Sequence, residues 1–416
     1  MSGIPFLPST SIGEVLHAMG RIIRFVPKYL KERKKKAMLN AWQETSFATV
    51  CEALNIYYEK REFPLFSYPA ASDRFVKVPL YVRPEWTRLS LESLNKSWDK
   101  ENRQFSPTKA QKNFIQFYQE LRKILGLGLI WPGEIFRLTS MSTSSNKLIL
   151  KFEMGSFLDA TMSQYILEHE LVTAITKEKY LGDLRLPLRD TSAGTISAVE
   201  TFCQKNVVRI GVSNLLLLRC EDDKYAPIVQ KRGKQSMGMK GKYDTVSSGI
   251  FDIIGFAEQD FELEHKVLTE IYEELFDKKE VARKHSRINP TFFYEENGIR
   301  ELRRYLKNGL ASFDVTGFCI DLIRIVPEIT TVLIVRDERY YKEYINKFKL
   351  NPEYEKIRQF FVPRYIGNIN EYFSNHIPTD PVDHGAGYGF DPIRWTLPGA
   401  FCFYQGLKKA VDDKLL

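Results

Sequence analysis

Cysteine is scarce in this chain and never closely paired. The 416 residues hold five, Cys51, Cys203, Cys220, Cys319 and Cys402, too far apart for the short spacings of zinc or dithiol sites. An odd, scattered set excludes a disulfide framework and fits a reducing compartment, so a cytoplasmic protein is expected. Long apolar runs are missing too. None reaches the roughly 18 residues of a membrane span, and the N-terminus lacks the apolar region and small-residue cleavage site of a secretory leader. Of the six histidines, His384 stands in the Gly-rich stretch His384 to Asp391, where alternate glycines would let backbone approach a ligand. No strand-to-helix setting makes that stretch a dinucleotide fingerprint, and a lone histidine is more often structural than catalytic.

Charge of one sign is also lacking outside a single segment. The net charge is +8, and Arg21 to Lys36 contributes +7 of it through eight basic residues against Glu32 alone. The remainder is nearly neutral, so no general nucleic-acid-binding surface is implied. Ahead of and within the basic cluster, Ile12, Val15, Leu16, Met19, Ile22, Ile23 and Val26 recur at helical spacing, interrupted at Pro27. An apolar face joined to lysines suits an anionic membrane surface, a nucleic acid or a protein partner, and equally a helix docked on its own protein with a solvated basic end.

Aromatic residues, by contrast, are plentiful at 13% within a 44% hydrophobic fraction, enough for a sizeable core. A chain of this length is expected to divide. The divisions read here are a basic amphipathic segment over 1–40, an N-terminal α+β region over 41–195, a third region over 196–350 and a C-terminal extension over 351–416. Within the second, Val76 to Val82 reads as an edge strand because of Pro79, and Pro187 to Ser197 reads as a polar connection.

In the third, the stretch Phe261-Glu-Leu-Glu-His-Lys-Val-Leu-Thr-Glu-Ile-Tyr-Glu-Glu-Leu-Phe-Asp277 organises the rest. Val267, Leu268, Ile271 and Leu275 form a narrow apolar stripe, and Glu270, Glu273 and Glu274 fall together on the neighbouring face. Like charges at i, i+3 and i+4 cost a few tenths of a kcal/mol per pair, with only Lys266 and Lys278 near the two ends to offset them. A divalent cation would remove the cost, and carboxylate oxygens suit Mg²⁺ or Mn²⁺. A solvated acidic face is the alternative. Upstream lie the apolar run Val207 to Leu218, a returning strand Ala226 to Arg232 and the turn Ser247-Ser248-Gly249. Downstream, Val315 to Val326 and Thr330 to Val335 read as strands around a turn at Pro327-Glu328. Lys242 closes a basic, Gly-rich loop that could hold phosphates as mobile point charges, or simply be solvated.

This order of elements resembles a Nudix hydrolase domain, and Thr269 to Asp277 aligns with the second half of the Nudix signature. Thr269 stands where the signature has arginine, Phe276 where it has glycine and Asp277 where it has an aliphatic residue. Gly249 matches the signature's first glycine if about six extra residues follow it; Gly255 matches by count alone. The resemblance implies an α/β (or α+β) fold, a mixed sheet between helices over 196–350, with a separate N-terminal region. It implies Mg²⁺- or Mn²⁺-dependent hydrolysis of a nucleoside diphosphate linked to another group. Glu270, Glu273 and Glu274 would be the catalytic and metal-binding residues; Arg232, Lys242, Ser248 and Gly249 would meet a nucleotide-type substrate. The alternative is a Nudix-like sensor that binds a nucleotide without cleaving it. Thr269, Phe276 and the insertion favour the sensor; the three glutamates favour the hydrolase.

Overall fold

The computed structural model describes residues 45–70, 74–100, 105–124, 130, 133–178, 180–233, 241–276, 291–349, 354–359, 361–363, 365–378 and 389–416. The basic segment over 1–40, the loop at 234–240, Asp277 and His384 lie outside them. The chain divides into two units, 1–46 and 47–416, and the described residues from 47 onward belong to the second.

That unit is built on two mixed sheets. The strands are β1 (Leu65–Ala70), β2 (Arg74–Tyr81), β3 (Leu94–Asp99), β4 (Glu134–Ser144), β5 (Lys147–Ser156), β6 (Val208–Arg209), β7 (Gly211–Arg219), β8 (Tyr225–Arg232), β9 (Tyr243–Thr245), β10 (Ser248–Ile250), β11 (Ala311–Asp321), β12 (Val326–Val335) and β13 (Tyr354–Gln359). Nine of them make one sheet in the order β1-β2-β11-β12-β7-β8-β13, with β10 on β7 and β9 on β8. The other four run β3-β5-β4-β6. The helices are α1 (Phe47–Glu59), α2 (Lys109–Ile124), α3 (Phe157–Lys177), α4 (Pro187–Ser192), α5 (Ile196–Lys205), α6 (Ala257–Asp260), α7 (Leu263–Leu275), α8 (Asn297–Lys307), α9 (Glu338–Tyr344), α10 (Ile369–Asn375) and α11 (Leu397–Asp412). Mixed α/β architecture is therefore as the sequence implied. Among the described residues, no helix is long and apolar enough to cross a membrane.

The centre of the large sheet is the parallel pair β7 and β12, in register from Gly211 opposite Glu328 to Leu218 opposite Val335. Parallel strands are covered on both faces, which explains why Leu215 to Leu218 and Val332 to Val335 are apolar at every position rather than at alternate ones. The β7–β8 hairpin turns at Glu221–Asp223, where Asp222 and Asp223 take positive φ, as aspartates tolerate.

Several boundaries differ from the sequence reading. Strands from the 41–195, 196–350 and 351–416 stretches all enter the one nine-stranded sheet, because pairing across β2–β11 and β8–β13 ignores sequence distance. β2 is flanked by β1 and β11, so Pro79 does not mark an edge; its carbonyl accepts from the Leu322 amide. Pro327-Glu328 is not the turn either. Both lie inside β12, and the turn is Leu322–Ile325, which is buried and includes Ile325 at φ 56°. A buried turn requires donors for its carbonyls. Arg189, fully buried, supplies them to Leu322 O and Ile323 O, and Gln164 Nε2 reaches Ile325 O at 2.9 Å. Arg189 belongs to α4, inside the stretch read as a polar connection.

Candidate functional site

The acidic helix α7 is held at its start by Asp260. Its carboxylate accepts from the amides of Ile254 and Gly255 at 2.8 and 2.7 Å and lies 3.4 Å from His265 Nε2. Gly255 thus serves the turn before the helix, whereas Gly249 faces the helix itself: a Cβ on Gly249 would overlap the Glu270 carboxylate. Val267, Leu268, Ile271 and Leu275 are buried at 1% exposure or less, as their spacing required.

The three glutamates are not a solvated face. Glu273 and Glu274 are 7% and 4% exposed, and the Glu270 side chain 12%. Glu270 Oε1 lies 2.5 Å from Lys266 Nζ, one helical turn earlier, and the same ammonium lies 2.5 Å from Asp252 Oδ1. Burial opposes the Lys266 charge, but the two carboxylates overcome it and hold the amine protonated well above its usual range. Glu274 Oε2 accepts from the Ser247 amide at 2.5 Å and from Gln230 Nε2 at 2.9 Å. Ser247 takes φ 66°, a conformation that costs a non-glycine residue about 1 kcal/mol or more, and Glu274 clamps the amide that this conformation presents. Ser247 Oγ and Gln230 Oε1 are buried with no hydrogen-bond partner among the described residues. Thr269, at the position of the signature's arginine, donates to His265 O at 2.9 Å and is spent on its own helix.

The expected substrate residues divide. Adjacent residues of a strand turn to opposite faces, so Gly249 meets Glu270 while Ser248 turns away from it. Ser248 Oγ lies 3.0 Å from Ser213 Oγ and 3.3 Å from Asp244 Oδ1. Arg232 Nε donates to Asp244 Oδ2 at 2.8 Å, and Asp244 is packed against the first turn of α11, where a Cβ on Gly399 would overlap it; a helix N-terminus favours such a carboxylate. Lys242 Nζ donates to Ile393 O at 2.6 Å and stands 4.6 Å from the Phe47 ring. Burial lowers its pKa. Among the described residues, then, Arg232 and Lys242 are engaged with the protein's own groups.

Sequence reasoning passed over Asp252, placed Glu328 in a turn, and read Gln230 as part of a polar strand end able to face substrate, whereas Gln230 meets Glu274. Ser213 Oγ donates to Glu328 Oε1 at 2.5 Å, and burial drives the Glu328 carboxyl up to about 8, Ser213 and Arg209 lowering it and Asp244 and Asp321 raising it. A glutamate within the apolar run of β12 was the available signal. Asp252 left none. Lys266 was visible as an i, i+4 partner of Glu270, but its burial was not.

Among the described residues, no group of three or more His, Cys, Asp or Glu side chains is arranged to hold a metal ion. Glu270 is bridged to an ammonium and Glu274 to two N–H donors, whereas Mg²⁺ and Mn²⁺ require carboxylate oxygens that face a common centre with room for water. The donor set as folded does not fit the expected metal.

No family model matches the chain, and no curated protein matches it. Among solved structures, a Nudix hydrolase from Alicyclobacillus acidocaldarius aligns with 38% of this chain and 79% of its own, at 13% identity and a TM-score of 0.22, a likeness too loose to carry an argument.

Proposed function

We propose that this protein is a catalytically silent, Nudix-like module that binds a nucleotide-type ligand without cleaving it. One observation carries the choice of the sensor over the hydrolase: the carboxylates of Glu270 and Glu274 are buried against Lys266, the Ser247 amide and Gln230. A metal-dependent hydrolase needs those oxygens aimed at a cation and its water. The nucleotide ligand rests on the sequence resemblance of Thr269 to Asp277 and the strand order around it. The test is a nucleotide panel with Mg²⁺, following both equilibrium binding and release of phosphate or nucleoside monophosphate. Binding with no product is the expected result. Product release that Glu273→Gln abolishes would overturn the proposal in favour of the hydrolase.

A further inference from the structure

We propose that the Lys266 ammonium is a built-in substitute for the divalent cation: it bridges Asp252 and Glu270 and keeps Mg²⁺ and Mn²⁺ from that pair. This deepens the reading of a silent module and rests on it. Three features carry the inference. The ammonium is equidistant, 2.5 Å, from one oxygen of each carboxylate, so it bridges the two groups as a cation would. It is buried, with a side-chain exposure of 4% against 12% for each partner, so the pair is shielded from the water that would carry a competing ion in. The carboxylates come from separate elements, Asp252 from the loop after β10 and Glu270 from α7, so the bridge fastens the helix to the sheet beside Gly249. A fixed ammonium does this without a bound water to activate, and it offers phosphate no open coordination position.

The same geometry says what removing the amine would do. Asp252 and Glu270 would lose the ammonium between them, leaving two closely placed buried carboxylates whose shared charge a divalent cation can neutralise. The experiment is a Mn²⁺ titration followed by electron paramagnetic resonance on the full chain, comparing wild type, Lys266→Gln and Lys266→Gln/Glu270→Gln, with thermal melts in and out of Mg²⁺. Wild type should hold no stoichiometric Mn²⁺ and melt at the same temperature with or without Mg²⁺. Lys266→Gln should bind Mn²⁺ at least about tenfold more tightly than wild type and recover melting temperature in Mg²⁺, and the double variant should lose both gains. A folded Lys266→Gln chain with no gain in Mn²⁺ affinity overturns the proposal. If that variant does not fold, wild type decides: one tightly held Mn²⁺ lost in Glu270→Gln refutes the substitution, and no such ion supports it. Failure of the two readings is distinguishable. Mn²⁺ held at Glu270 without nucleotide turnover refutes the lysine substitution alone; turnover with no Mn²⁺ at Glu270 refutes the silent module alone.

Discussion

Replacing Glu328 with glutamine should make this protein's stability less sensitive to pH, with the largest gain in mild alkali. Glu328 is buried near the start of β12, its carboxyl packed so closely on Gly211 that a Cβ there would overlap it. Burial raises its pKa from an ordinary 4.5 to about 8. The folded value lies above the unfolded one, so the folded state keeps a proton that the unfolded state gives up. Below about pH 4.5 both states are protonated and no penalty exists; as pH rises toward 8 the unfolded chain is progressively favoured, and above 8 the loss is complete. At about 1.4 kcal/mol per unit, the interval from 4.5 to 8 caps the effect at about 5 kcal/mol. Glutamine keeps an oxygen for Ser213 and does not titrate. Unfolding free energies from urea titrations of wild type and Glu328→Gln, taken from pH 5 to 9, should therefore diverge in favour of the variant by a few kcal/mol. Titrating groups that do not interact with Glu328 are common to both chains and cancel in the difference. A difference that stays flat with pH would refute the assignment of a neutral buried carboxyl.

Gly249→Ala should cost about 1–3 kcal/mol, read as a lower melting temperature, because its Cβ would overlap a Glu270 carboxylate that Lys266 holds in place. Arg324→Met should cost about 3–5 kcal/mol by stranding Glu168, whose two oxygens it binds at 2.6 and 3.0 Å within the core; adding Glu168→Leu should recover most of that loss in the same denaturation assay.

Periodicity alone determined that Phe261 to Asp277 contains a helix and which side of it is apolar, and apolar runs showed that strands flank it, because burial of apolar side chains is a local property of the sequence. It also put Glu270, Glu273 and Glu274 on one face. What those carboxylates meet was not local. Asp252 reaches Lys266 only because the chain between Gly249 and α7 folds back over the helix, and Gln230 reaches Glu274 from a strand forty-four residues away. The turn at Leu322–Ile325 escaped a polar-turn criterion because Arg189 and Gln164, distant in sequence, satisfy its carbonyls. The apolar face was legible because hydrophobic burial needs no particular partner; the fate of each charge was decided by tertiary structure, since a buried charge is defined by the one group placed against it.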